Sequence, residues 1–125
     1  MIYLDTHVVV WLYSGLIEQL SHTARRLIND NDVFVSPVVR LELQYLFEVK
    51  RIAAAPDTIV TDLANSIGLQ VCAKPFNRIV NEALANTWTR DPFDRLIAAH
   101  ASLDDDILVT KDSNILRNYP RARWA

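Results

Sequence analysis

Short runs of β-branched and apolar residues alternate along this chain with longer segments of helical spacing, and that alternation restricts the fold more than any other feature. Ile2 to Leu4, Val33 to Val35, Leu69 to Cys72 and Ile107 to Val109 are bounded by polar or turn residues and read as buried strands. Between them, residues 21 to 30, 37 to 51, 56 to 67, 75 to 87 and 92 to 104 carry helical spacing. Ser36-Pro37 and Asp91-Pro92 each set a capping residue before a proline at the first helical position, and Pro56 and Pro75 also precede helical stretches. The order predicts an α/β fold of three layers. Its centre is a parallel sheet of four or five strands with right-handed crossovers, helices on both faces, and a short last strand near Arg123-Trp124.

The chain has 125 residues, half of them hydrophobic, which suits one domain spanning 1–125 that buries roughly two thirds of its unfolded surface. No linker, repeat or low-complexity tract divides it. The start of the chain has no basic leader, and its longest apolar run, Val8 to Tyr13, is too short to cross a bilayer. Cys72 has no partner for a disulfide, so a reducing cytoplasm is the expected setting. Gly15 and Gly68 are the only glycines, and neither belongs to a phosphate-cradling pattern; a nucleotide-cofactor enzyme is thereby disfavoured.

In an open parallel sheet, ligands bind beyond the carboxyl ends of the strands where strand order reverses. Asp5 directly follows the first strand, and Asp112 follows Ile107-Leu108-Val109 after Thr110-Lys111. Each acid also suits the N-cap of a following helix. Glu42 is more informative. A projection of residues 37 to 51 places Arg40, Gln44, Glu48 and Arg51 on one polar stripe and Glu42 opposite, beside Val38, Tyr45, Leu46 and Val49. A carboxylate facing inward needs a cation, a proton or a hydrogen-bonding network; the structural alternative is a core pair with a residue such as Arg95. Asp94 lies three residues after the capping Asp91, as in a capping box, but it shares a stripe with Ala98 and Ala101, where small side chains permit close approach of another element.

Carboxylates on separate elements, without a cysteine cluster or paired histidines, suit a hard ion such as Mg²⁺ or Mn²⁺ and disfavour zinc. Of the three histidines, His22 lies near a helix start, His100 falls on an apolar face where a packed histidine is expected, and only His7, two residues from Asp5, is a candidate to touch the site. The formal charge of −2 does not advertise nucleic-acid binding, but setting aside four metal-bound acids leaves the remainder at +2, and bound metal reverses the local field. Charge therefore leaves the partner open.

Four segments together resemble the PIN-domain toxin ribonucleases of the VapC family, from bacterial toxin–antitoxin operons. They are Leu4-Asp5-Thr6-His7-Val8, Val35-Ser36-Pro37 leading to Leu41-Glu42-Leu43, Arg90-Asp91-Pro92-Phe93-Asp94-Arg95-Leu96-Ile97-Ala98-Ala99, and Leu108-Val109-Thr110-Lys111-Asp112. The resemblance covers about residues 2 to 124, and the segment after Arg90 is its most specific part. It implies a Mg²⁺-dependent endoribonuclease in which Asp5, Glu42, Asp94 and Asp112 hold the metal and carry catalysis. Thr110 and Asp91 would order the site. It also implies a homodimer and a small antitoxin lying over the acids. One departure is Val49-Lys50-Arg51-Ile52, where related chains often have a glycine at the turn.

Arg90, Arg95, Lys111 and Arg117 are the basic residues nearest these motifs in sequence and are the candidates for RNA phosphate contacts, which position without reading bases. Leu43 and Phe47 lie close to the polar stripe of their helix and suggest a second contact surface. Two other readings stand beside the ribonuclease. A receiver-like or non-catalytic PIN-like module would use the acids only to bind an ion or partner, although Leu69 to Lys74 lacks the aspartate that a receiver needs. A DNA-directed nuclease would share the same metal chemistry.

Overall fold

The computed structural model describes all 125 residues. Five strands form one all-parallel sheet: β1 (Ile2–Leu4), β2 (Val33–Val35), β3 (Gln70–Val71), β4 (Ile107–Val109) and β5 (Ala122–Arg123), in the order β3-β2-β1-β4-β5. Central β1 pairs Ile2 with Val33 and Ile107, and Tyr3 with Phe34 and Leu108. Its three residues are buried on both faces, as a parallel sheet covered on each side requires. The α/β class, the parallel sheet and the strand near Arg123 agree with the sequence expectation.

Seven helices connect the strands: α1 (Thr6–Tyr13), α2 (His22–Asp30), α3 (Pro37–Glu48), α4 (Pro56–Ile67), α5 (Phe76–Leu84), α6 (Pro92–Ser102) and α7 (Ser113–Asn118), with a 3₁₀ turn at Ile17–Gln19. From β1 the chain steps outward to β2 and β3, then returns across the sheet to β4 and β5. Right-handed crossovers put α1 to α4 on one face and α5 to α7 on the other. The contacts follow that division, since α1, α3 and α4 touch one another and α5 packs on α6. Helices α3 and α6, from opposite faces, also meet. The step direction reverses between β1 and β4, so the carboxyl ends of those two strands border the binding crevice.

The sequence gives no helical range for α1 or α7. The run Val8-Val9-Val10 opposes a helix on side-chain entropy, but Val8 and Val9 are fully buried in the main core, and burial outweighs propensity. The α7 segment has six residues, too few for a period to register. The projection of α3 also needs correction. Its core-facing residues are Val39 and Leu43, both fully buried, whereas Tyr45 is 56% and Val49 46% exposed. Glu42 does lie inward, but through its i−3, i+1 and i+4 neighbours Val39, Leu43 and Leu46. Leu43 consequently belongs to the core and not to a second contact surface; the outward apolar residues of α3 are Leu41, Tyr45 and Phe47. The helix is apolar over most of its circumference, so only the sheet decides which side faces in.

The turn after α3 carries a local strain. Arg51 N–H donates to Leu46 O at 2.8 Å and Lys50 N–H to Phe47 O at 3.1 Å, a Schellman closure that needs a left-handed residue at Lys50. Lys50 takes φ 63°, while Gly68 fills the same role after α4 at φ 72°. A side chain in that conformation costs about 1–2 kcal/mol, partly offset by its lower unfolded-state entropy. Lys50→Gly is expected to stabilise the protein by about 0.5–1 kcal/mol, read as a higher midpoint of urea unfolding at unchanged slope.

Candidate active site

Asp5 leaves β1 at the sheet's crevice, where its backbone N–H donates to Val109 O at 3.1 Å and fixes it beside β4. The residue is 4% exposed, and both carboxylate oxygens are engaged. One oxygen accepts from Thr6 N–H at 2.8 Å as the cap of α1, and the other accepts from Thr110 Oγ1 at 2.7 Å. Thr110, buried after β4, receives Asp112 N–H at 3.0 Å on the same oxygen. Asp112 caps α7 by accepting from Asn114 N–H and Ile115 N–H through Oδ1, which leaves Oδ2 without a partner. The capping and pocket-lining readings of Asp5 and Asp112 therefore hold together.

Glu42 accepts a hydrogen bond from the Thr6 hydroxyl, not from Arg95, whose Nε donates to Thr89 O. The core-pair alternative is thereby replaced. Asp91 caps α6 through Phe93 N–H at 2.9 Å, but the capping box is not formed: Asp91 N–H donates to Thr89 Oγ1. Asp94 is the exception among the acids, because its half-buried carboxylate has neither a hydrogen bond nor an ion pair. Ala98 and Ala101 below it are buried, where α6 packs on β1 and β4.

All five acids, Asp5, Glu42, Asp91, Asp94 and Asp112, line one open cleft of about 380 Å³. Glu42, Asp91, Asp94 and Asp112 form no salt bridge, and Asp5 has only His7 Nδ1 at 3.7 Å. Burial, then the charges of Asp5, Asp91, Asp112 and Glu42, push Asp94 up to about 7. Burial also raises Glu42, helped by Asp5 and Asp91 and opposed by the Thr6 hydrogen bond. As they stand, no three His, Cys, Asp or Glu side chains converge closely enough to hold an ion between them. An open set of hard, unneutralised oxygens fits an ion that keeps part of its water shell, such as Mg²⁺ or Mn²⁺, and does not fit zinc.

Thr6, Trp11 and Arg51 of the cleft escape sequence reasoning, whereas His7 was the one histidine it singled out. Thr6 bridges two acids, and the only signal was its position directly after Asp5. His7 lines the cleft, and its Nε2 accepts from Lys111 N–H at 2.9 Å, so in the neutral ring Nδ1 carries the proton and faces Asp5. Trp11 and Arg51 complete the wall. Of the basic residues named from sequence, none lines the cleft. Lys111 stands nearest, with its ammonium 5.9 Å from the centre of the Trp11 ring. Arg90 is exposed and donates to Thr87 O, Arg95 holds Thr89 O, and Arg117 reaches Asn114. The other histidines are remote: His22 begins α2 on the surface, and buried His100 holds Leu96 O at 2.9 Å.

Residues 2–121 match the PIN domain family. The chain belongs to that family. PIN domains are generally nucleases, and an acidic cleft at the β1/β4 crevice is compatible with that chemistry. Three solved assemblies are similar in fold to this PIN domain. VapBC2 from Rickettsia felis, bound to a DNA fragment from its promoter, aligns with TM-score 0.66 and 22% identity over all of both chains. VapBC-1 from nontypeable Haemophilus influenzae gives 0.64 and 18% over 100% of this chain and 97% of the other. DNA-bound VapBC from Salmonella typhimurium gives 0.60 and 21% over 98% and 94%. No curated protein matches the sequence.

The raised pKa of Asp94 has a signed consequence for the metal-free protein. Between pH about 4 and 7 the native state retains a proton that the unfolded state has lost, so stability falls as pH rises through that window. Asp94→Asn removes the effect. In EDTA the variant is expected to gain on wild type from pH 4 to 7 and to hold a constant advantage above it. Discounted for solvent screening, that advantage is about 1–2 kcal/mol, or about 3–8 °C in Tm. Parallel pH profiles for the two proteins would refute the assignment.

Proposed function

We propose that this PIN domain is a Mg²⁺-dependent endoribonuclease and the toxin of a toxin–antitoxin pair, acting in the cytoplasm. The observation that carries the reading is the concentration of five acids in one cleft, none of them ion-paired with a lysine or arginine and with Arg51 the one such side chain on the wall. Asp5, Glu42, Asp94 and Asp112 are the metal-holding and catalytic acids, with Mn²⁺ as the alternative ion. An ion held by these four acids would supply an activated water and offset charge on the scissile phosphate and leaving oxygen.

The chain's own contribution is orientation. Thr110 fixes one oxygen of Asp5 and Thr6 fixes one oxygen of Glu42, and such outer partners set ligand geometry. Asp91 orders the start of α6 and thereby the position of Asp94. Arg51, which has no ion-pair partner, stands on the wall where a phosphate would need a counter-charge. Lys111 lies at the rim, while Arg90, Arg95 and Arg117 contribute only a more distant basic surface.

A small antitoxin lying over the cleft, with a basic side chain among the acids, is the partner that the unneutralised charge favours. The similar folds include VapBC assemblies, and the sequence motifs support the same reading. A homodimer is also proposed, using the outward apolar side of α3 at Leu41, Tyr45 and Phe47.

Purified protein is expected to cleave cellular RNA with Mg²⁺ and not with EDTA, and Asp5→Asn or Glu42→Gln to lower the rate at least about 100-fold. Cleavage that persists in EDTA and in both variants would remove the support for this reading. Cleavage of single-stranded DNA at an equal rate would make the domain a general nuclease. The protein is further expected to sediment as a dimer at micromolar concentration and to shift to monomer in Tyr45→Lys; a monomer with and without antitoxin sinks the dimer assignment.

A further inference from the structure

Trp11 stands where two cavities meet. It lines the acidic cleft and also a neighbouring groove of about 600 Å³, whose wall is mostly apolar and includes Tyr13, Leu16 and Ile59. Arg51 and Ile52 are likewise common to both. The indole is half-buried and held by other rings, with His7 edge-on at 5.1 Å between centroids and Trp124 tilted at 5.9 Å. His7 is itself tied to Lys111 N–H at 2.9 Å, and the Lys111 ammonium lies 5.9 Å from the Trp11 ring centre. Two aromatic rings and a cation thus fix one indole at the edge of a site suited to phosphate.

A nucleic acid strand presents a charged phosphate and an apolar, planar base in turn. The two adjoining cavities present the complementary pair, one polar and acidic for a metal-bound phosphate, the other apolar and aromatic. We infer that Trp11 is a stacking platform for an unpaired nucleobase of the substrate, which lies toward the apolar groove while the adjacent phosphate sits at the acids. Arg51 stands on the border between them. The inference rests on the nuclease reading above. Stacking on an indole tolerates any base but requires an exposed base face, so this subsite selects single-stranded or looped RNA over a duplex. Its interaction is shared by ground and transition states and therefore belongs in KM and not in kcat.

The test compares wild type with Trp11→Phe, which keeps an aromatic face, and Trp11→Leu, which keeps apolar bulk without one. Thermal unfolding of all three shows that each is folded. On a hairpin-free RNA oligonucleotide, Trp11→Leu is expected to raise KM about 5- to 100-fold, the range of base–aromatic stacking, with kcat little changed and Trp11→Phe much less affected. An abasic nucleotide beside the cleaved phosphate should cost wild type a similar factor and cost Trp11→Leu nothing further, a coupling that a merely structural role would not produce. With Ca²⁺ replacing Mg²⁺, the same oligonucleotide should quench tryptophan fluorescence in wild type and in Trp88→Phe but not in Trp11→Phe. Equal KM values in the two Trp11 variants, an abasic cost undiminished in Trp11→Leu, or quenching that survives Trp11→Phe would each overturn the inference. Trp11-dependent quenching without any RNA cleavage would uphold the platform and sink the nuclease reading instead.

Discussion

The Asp5 carboxylate is the point on which the site depends. It closes the first turn of α1 through Thr6 N–H, receives the hydroxyl of Thr110 from the next strand, and lies beside His7. Thr6 carries the linkage on to Glu42 in α3, and Thr110 carries it to Asp112 at the start of α7. One buried acid at the end of the central strand therefore sets the geometry of groups from four elements. Hydrogen-bonded networks of this kind hold their members in place, and here acids that each accept at least one hydrogen bond share the cleft with one that accepts none.

Asp94 is that acid. Its half-buried carboxylate has no donor, and the charges of Asp5, Asp91, Asp112 and Glu42 all act against its ionisation. A fold selected for stability alone would place a cation or an apolar side chain there. The arrangement instead retains an electrostatic deficit of the kind that the proposed divalent ion would relieve, and functional sites are where local energetic rules are broken while the surrounding scaffold compensates. The compensation is visible in the neighbouring core, where Ile97, Ala98 and Ala101 of α6 are buried tightly against the sheet.

The end of α3 shows a second, smaller compromise. Lys50 adopts the left-handed conformation that Gly15 and Gly68 take without cost, and the closure it permits directs Arg51 to the border shared by the acidic cleft and the apolar groove. Helix α3 thus supplies an acid to the cleft from its inward side and a base from its terminus. The strain and the placement of the charge arise from the same turn.

Much of this was legible in the sequence because strand and helix periodicities are local. The four early strand runs, the caps at Ser36 and Asp91, and the acids after β1 and β4 follow from spacing and residue type. The inward position of Glu42 was legible too, but not its neighbours: α3 is apolar around most of its surface, and only contact with the sheet, α1, α4 and α6 separates Leu43 in the core from Tyr45 in solvent. Helix α1 was hidden because three consecutive valines disfavour a helix locally, and only burial of Val8 and Val9 reverses that preference. Residue type and order determined the α/β class and the identity of the acids. The place of His7 two residues after Asp5 made it a candidate as well, but tertiary structure alone decided that Thr6, Trp11 and Arg51 join them, and that Arg90, Arg95 and Arg117 do not. Convergence on a cleft depends on distances between segments as far apart in sequence as Asp5 and Thr110, 105 residues, and no local pattern encodes those distances.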